Sequence, residues 1–592
     1  MKYCLSVFLV LILVGTNFSC KSLQPKTKPS PAAVSTTEFG HWIHRPLHPA
    51  NRQGVTFAVQ VMDKLGIQKV ELQIFEFELY QDKNNFPSKR RRQNGLWGKV
   101  KTWDFTDSPK ELSLDYLHTA GFPARSNVEY IFTITNIEGA SSEKLALFDA
   151  GDSPWGKDKI TLYATTRDPM KNTINLCFLA DVDYQNDWNN FLQDAENVIY
   201  TGYHENNKIR SHKEKWNFYY TRQTADGRKI IEDPFNENSF PSFLADNKIS
   251  GIDAFGLLHR TAYSDGAYLK ANFSFLAYNL FTSEGYNKGT AVHETAHAIF
   301  NLSDEYNGCV CFESPGGSNV FPKESDCEAF NERNGFPAMD CSVIRHVNDT
   351  DWYMSEKSVL FPTRASCEAF NVANGFPKDH YDLLRDIDGI RWYRALGGLC
   401  IMQDDGDDVI RDFQRTCGRL IDQYYQRLTD METPLAALTP QENIFGYEEV
   451  VLLELTADDD DGVTVAVQDV TFGVPTKDLV PKNYLSLEVM DKKGKETYHL
   501  SVNDPAGFRI HAEEEGDTYE HQSRGTCQLA IPYTKNLEKV VCQFKTDFNK
   551  SWATKSVNGT SPKQEKMVFD IGKKCQAKAK QFSKRKKRRR KN

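Results

Sequence analysis

The chain has 592 residues, 40% hydrophobic and 26% charged, with 36 Gly and 24 Pro; these proportions exclude wholesale disorder and a collagen-like fibre. The net charge of −8 conceals a basic end: residues 584–592 carry eight basic groups and no acid, and without them the body stands at −16. An acidic body argues against a nucleic-acid partner, and beyond the N-terminus nothing approaches the ~18 consecutive apolar residues of a membrane span.

The N-terminus has the pattern of an export signal. Met1-Lys2 precedes an apolar run at residues 5–14, too short to span and suited to a secretory h-region. Ser19-Cys20 follows at the distance of a bacterial lipobox. The expectation is a signal peptide over 1–19, a lipid anchor on Cys20, and an extended tether over 20–40, where Lys, Pro, Ser and Thr recur without periodicity. Thirteen cysteines fit an exported chain. Seven of them crowd residues 309–417, which suggests disulfides stapling a long insertion.

Residues 41–168 predict a β-sandwich. Val55, Phe57, Val59 and Val61 alternate with smaller or polar neighbours, as do Val70, Leu72 and Ile74, then Tyr130, Phe132 and Ile134. Lys89-Arg90-Arg91-Arg92 reads as a charged loop. Residues 169–434 predict an α/β domain. Its expected strands are 174–180 (a continuous apolar run, hence buried on both faces), 216–220, 252–258 and 271–277; its expected helices are 188–204 and 289–300. An insertion over about 307–400 contains a repeat of period 40: FPKESDCEAFN at 321–331 recurs as FPTRASCEAFN at 361–371, and each copy continues into Asn-Gly-Phe-Pro. Each repeat cysteine, Cys327 and Cys367, is free to pair outside its own unit. Residues 435–580 return to alternating strands at 450–455, 463–467, 485–489, 527–531 and 540–544, a second β-sandwich. Residues 581–592 read as a solvated, disordered basic tail. The acidic runs at 404–408 and 458–461 lack EF-hand spacing and read as solvated turns.

Chemistry concentrates in one segment, residues 291–306, which contains His293-Glu294-Thr295-Ala296-His297. On a helix the two histidines stand four residues apart on one face, and imidazoles so placed can share one Zn²⁺ at ~2.0–2.1 Å. Glu294 lies beside His293 and can take a proton from water at the metal. The surrounding positions Ala291, Val292, Ala296, Ile299 and Phe300 are apolar, so the polar trio would sit in a core, where a metal resolves its desolvation cost.

A catalytic zinc needs a third protein ligand. Asp304 follows seven residues after His297, and on a continued helix it would lie ~10 Å along the axis, beyond reach. The chain must turn back, and Asn301 is the residue suited to φ > 0. That gives His293, His297 and Asp304 as ligands, with Glu305 competing. A continued helix with Glu313, Glu324 or Glu328 as third ligand is the other arrangement.

The segment HETAHAIFNLSDEY resembles the HExxHxxxGxxDEY signature of the IgA-peptidase family of bacterial zinc metallopeptidases, which are metzincin-like; Asn301 stands where the family has Gly. The resemblance covers the helix and, loosely, the strands before it. It implies zinc-dependent endopeptidase chemistry with the third ligand at Asp304. Metzincins also place a Met beneath the zinc on a tight turn, and Met402, after Gly397-Gly398, resembles that residue. Glu305 and Tyr306 are candidates for supporting roles, Tyr306 at the developing oxyanion. The expectation is therefore a multidomain exported lipoprotein: an α/β metzincin-like zinc protease domain flanked by two β-sandwiches, acting on a protein or peptide substrate and held to the membrane through Cys20. The competing reading is a surface adhesin whose β modules grip a partner or glycan around a structural zinc.

Overall fold

A computed structural model describes residues 36–81, 87–151, 160–166, 173–232, 251–261, 266–270, 278–285, 287–300, 302, 319–321, 323–344, 352–355, 360–361, 364–378, 380–384, 392–395, 400–403, 412–430, 448–458, 462–473, 475–476, 485–502, 507–512, 516–521, 524–544 and 566–589. The chain is rich in β-structure, arranged in several separate sheets. The expected signal peptide, Cys20 and the tether up to residue 35 lie outside the described residues. Among the described residues no helix is long and apolar enough to cross a membrane.

The apolar run Ile174–Asp181 (β2) is the axis of the central sheet, and all eight of its residues are buried. A strand with no polar face must be covered on both sides and paired on both edges. Here it runs parallel to Trp216–Ala225 (β3) on one edge and to Ala254–His259 (β4) on the other. Ile160–Tyr163 (β1) closes the β3 side antiparallel; it joins this sheet although the sequence reading assigns it to the preceding sandwich. On the other side Tyr278–Glu284 (β6) runs parallel to β4, and Gly266–Lys270 (β5) runs antiparallel to β6. Two further strands, Gly507–Ala512 (β7) and Gly516–His521 (β8), extend the sheet beyond β5, so the order is β8-β7-β5-β6-β4-β2-β3-β1. The expected strand at 271–277 lies outside the described residues; β5 and β6 flank it. The expected helix at 188–204 is helix α1 (Trp188–Asn197), capped by Asp187, running on as a π-helical turn over Val198–Tyr203.

Two sheets form the region before the central sheet. One pairs Thr37–Arg45, Val55–Asp63 and Glu111–His118; the other is built on Ile67–Gln81 and Ser126–Asn136. Val55, Phe57, Val59 and Val61 are all buried between them, as their alternation requires. The core continues without a break into the central sheet, and Tyr163 donates its hydroxyl to Trp42 O at 2.9 Å across the junction. The basic run expected as a loop is instead a strand, Pro87–Arg91, paired with residues 77–81. Lys89 points inward, where its Nζ meets Glu129 and donates to Asn127 Oδ1 at 3.0 Å. Period two turns one residue of a charged run into the core, and Glu129 neutralises it there.

His44 is fully buried in this core, stacked on Phe148 with Nδ1 3.3 Å from the Tyr130 hydroxyl. Burial pushes its imidazole down to about 3. The unfolded chain therefore binds an extra proton between about pH 6.5 and 3, so stability rises with pH in that window and falls on acidification. His44 alone is expected to remove about 2 kcal/mol between pH 7 and pH 5. Urea unfolding at the two pH values checks this: His44→Leu, less stable at pH 7, should show a smaller loss on acidification than the wild type.

The insertion consists of two interlocked copies of one unit. Helix α3 (Glu324–Arg333) and helix α4 (Arg364–Ala373) occupy equivalent places. The repeated Asn-Gly-Phe is a helix stop: Gly335 has φ +75°, Phe336 N donates to Asn331 O at 2.8 Å, and Gly335 N donates to Glu332 O at 3.1 Å. Gly375 (φ +77°) and Phe376 repeat the arrangement on Asn371 and Val372. This double bond across a left-handed glycine is the Schellman pattern, so the repeated residues encode a turn. The units exchange a strand. Trp352–Ser355, from the first, pairs with Leu360–Phe361 and Tyr381–Leu384 of the second; Trp392–Ala395, from the second, pairs with Val320–Phe321 and Cys341–Ile344 of the first. Pairing outside the unit was open to Cys327 from the sequence; it forms a disulfide with Cys341 inside its own unit. Tyr381 stands at the position of Cys341 in the second copy, and Cys367 is a buried thiol.

After the central domain, a three-stranded sheet (Gly462–Gly473, Glu448–Asp458, Arg524–Pro532) and a four-stranded sheet (Glu496–Val502, Leu485–Asp491, Leu537–Phe544, Met567–Asp570) share one core that includes Leu453, Leu455, Leu487, Val489, Leu529 and Ile531. The basic end is not disordered as expected: residues through Arg589 form helix α6 (Gly572–Arg589). Buried Ile571 and Cys575 seat its first turns in the core, and Arg585 bonds Asp469 at 2.8 Å.

Candidate metal centre

The helix expected at 289–300 is Lys288–Phe300 (α2). Asn287 starts it, its side-chain oxygen accepting from Thr290 N at 3.2 Å. Every residue from Gly289 to Phe300 is buried, because α2 is wedged between strands β4, β5 and β6 on one side and the π-helical turn and helix Arg415–Asp430 (α5) on the others. The turn approaches so closely that a Cβ on Gly202 would lie 3.1 Å from Lys288 O. Tyr203 fixes the helix from that side through a hydroxyl contact with Thr295 Oγ1.

The two histidines meet in this buried setting. His293 Nδ1 lies 3.0 Å from Ile401 O, and His297 Nδ1 lies 2.7 Å from Leu302 O. A carbonyl oxygen only accepts, so each Nδ1 carries the proton and each Nε2 presents its lone pair. Those two Nε2 atoms face each other at 3.0 Å. Two acceptors at that distance repel, and a shared cation relieves the repulsion; the separation is within reach of one ion bonded to both at ~2.0–2.1 Å. Backbone carbonyls that hold the far ring nitrogens are the usual support of histidine ligands. Glu294 is fully buried beside them, with Oε1 3.9 Å from His293 Nε2. Ligand atoms of His293, Glu294 and His297 all lie within 4.8 Å of one another, and among the described residues this is the one His/Cys/Asp/Glu cluster able to hold a metal ion. The donor set fits zinc.

α2 ends at Phe300. Leu302 is buried back against it, its N–H donating to Ala296 O at 3.3 Å while its carbonyl receives the His297 ring. The chain has therefore left the helical path two residues after Phe300. Asn301, Asp304, Glu305 and Tyr306 lie outside the described residues, as does Glu313. Glu324 is exposed and Glu328 half-buried on α3, and neither belongs to the cluster. Met402 is fully buried in the short turn Ile401–Gln403, which packs against α2. The neighbouring Ile401 carbonyl is what orients His293, a contact 108 residues distant in sequence that no local pattern signals. The acidic run at 404–408 lies outside the described residues.

No protein-family sequence profile matches the chain, and no curated protein matches it. Among solved structures it is similar to the sporulation control protein Spo0M of Bacillus subtilis, at 12% identity and a TM-score of 0.15, over 21% of this chain and 52% of that one. The chain thus spans about half the length of that protein. A Niemann-Pick type C2 protein from the Japanese carpenter ant matches at 12% identity and a TM-score of 0.13, over 20% of this chain and 96% of that one. A β-glucuronidase of Bacteroides uniformis matches at 8% identity and a TM-score of 0.12, over 90% of this chain and 60% of that one. Similarities at these scores carry no argument about function.

Proposed function

We propose that the chain is an exported zinc metalloendopeptidase. The observation that carries the reading is the pair of Nδ1-protonated histidines whose Nε2 atoms converge at 3.0 Å beside the buried carboxylate of Glu294. The signature-like HETAHAIFNLSDEY supports it. His293 and His297 would hold the ion, with Asp304 as the third ligand. Zinc in such a site supplies a Lewis acid for the scissile carbonyl and lowers the pKa of water. Glu294 acts as the base: its carboxylate takes the proton of the attacking water and returns it to the departing amine. The apolar packing around α2 keeps bulk water from the trio and strengthens each charge interaction within it. A purely structural zinc has no use for an adjacent base, which favours the enzyme over the adhesin reading.

Digestion of a proteome-derived peptide library tests the assignment. Cleavage that is lost with a chelator and restored by zinc is expected; intact peptides under every condition would reject it. Export and anchoring are tested separately. Cys20→Ala is expected to move the protein from the membrane fraction to the soluble fraction, because stable anchoring takes more than one acyl chain and a lipidated Cys supplies them. Unchanged partition of the variant would rule out a lipid anchor at Cys20.

A further inference from the structure

Strand β5 lies at the edge of the part of the central sheet built from residues 160–284, and α2 packs against it. An edge strand presents a row of backbone N–H and C=O groups that pairs with any extended chain. In this molecule the row is already taken. Strand β7 pairs antiparallel along all of β5, from Gly266 opposite Ala512 to Lys270 opposite Phe508, and β8 closes the hairpin outside it. The hairpin comes from elsewhere. It leaves the C-terminal sandwich after Glu496–Val502, a strand of the four-stranded sheet, and returns to it at Arg524–Pro532, a strand of the three-stranded sheet. Its own two strands pair with neither of those sheets. Residues 503–506 and 522–523 join it covalently to the flanking strands.

We propose that the β7–β8 hairpin is an internal mask: it occupies in cis the backbone edge on which an extended peptide pairs beside the metal helix, so hairpin and peptide compete for β5. Exposure of the edge requires the hairpin to part from β5 while the C-terminal sandwich stays folded. The partner that displaces it is an unfolded or extended polypeptide, recognised through its main chain. The masking claim concerns binding; only its consequence for hydrolysis rests on the peptidase reading.

Two full-length variants move the hairpin in opposite directions. Arg509→Pro/Ile510→Pro removes one N–H directed to each side of β7, because adjacent residues of a strand alternate, and opens the edge. Tyr268→Cys/Ile510→Cys places thiols at facing positions of β5 and β7, and its oxidised form locks the edge. Both are made in the Glu294→Gln background, and fluorescein-labelled unfolded casein is the probe, read by anisotropy. A ligand that binds only the open state is weakened by the fraction of molecules open, so the open variant is expected to bind about tenfold or more tighter than the wild type, and the locked form more weakly than either. Reduction should return the locked form to the wild-type value. Amide exchange at residues 266–270 should be faster in the open variant than in the wild type, a check that the substitutions freed the edge. Equal casein affinity in open, wild-type and locked forms overturns the mask. The same variants with Glu294 restored separate the two claims: affinities that rank as expected, with no hydrolysis in any form, would leave the mask standing and reject the peptidase.

Discussion

Glu294→Gln is expected to keep its zinc and lose hydrolysis by about 10²–10⁴-fold, the contribution of a positioned general base. The amide is close in size to the carboxylate, so the packing of α2 is preserved, and the substitution leaves both histidine rings and their carbonyl partners Ile401 and Leu302 in place. What disappears is the capacity to accept a proton from water. Bound metal, measured on the purified protein, and turnover of an unfolded protein substrate must be read together. Near-full hydrolysis with stoichiometric zinc would remove Glu294 from the mechanism; loss of both would mean that the carboxylate is needed for the metal itself.

Asp304→Ala is expected to lose zinc outright, whereas Glu305→Ala should weaken zinc binding by no more than about 10–100-fold, the effect of losing a residue that supports a ligand. Two adjacent carboxylates diverge, so at most one of them can complete the proposed site. Leu302 is already turned back over the last turn of α2, with its N–H on Ala296 and its carbonyl on His297. The assignment to Asp304 rests on that reversal at Leu302, which ends the straight helical path that would carry a later residue out of reach of the histidines. Zinc content after dialysis decides between them: full occupancy in Asp304→Ala with none in Glu305→Ala reverses the assignment.

Much of the strand pattern was legible because it is local. Alternation at Val55, Phe57, Val59 and Val61 marks a strand with one covered face, and the unbroken apolar run of β2 marks a strand covered on both. The His293–His297 pair was legible for the same reason, since spacing on one helix needs no tertiary information. Four features were not. Lys89 looked like solvated charge until Glu129, 40 residues away, supplied its partner. The helix at the basic end is seated by Ile571 and Cys575, two apolar positions in a segment dominated by lysine and arginine. The Ile401 carbonyl that fixes the His293 tautomer and the β7 strand that covers β5 come from distant segments, and long-range pairing leaves no periodic trace in the residues that make it.

The reciprocal strand exchange in the insertion has a consequence for how this segment is made and how it can change. The sheet around Val320–Phe321 and Cys341–Ile344 lacks its middle strand until Trp392–Ala395 emerges, so the first unit cannot finish folding before the second has been synthesised. Loss of one 40-residue period would leave the survivor's strand without its exchange partner, and gain of a third would add a strand with none. Mutual exchange between two copies closes on itself as a twofold interface does, whereas a head-to-tail arrangement would stay open to further growth. The duplication is thus closed as a pair: deletion of one 40-residue period would require the survivor to fold its own strand back into its own sheet, in place of the strand the other copy supplies.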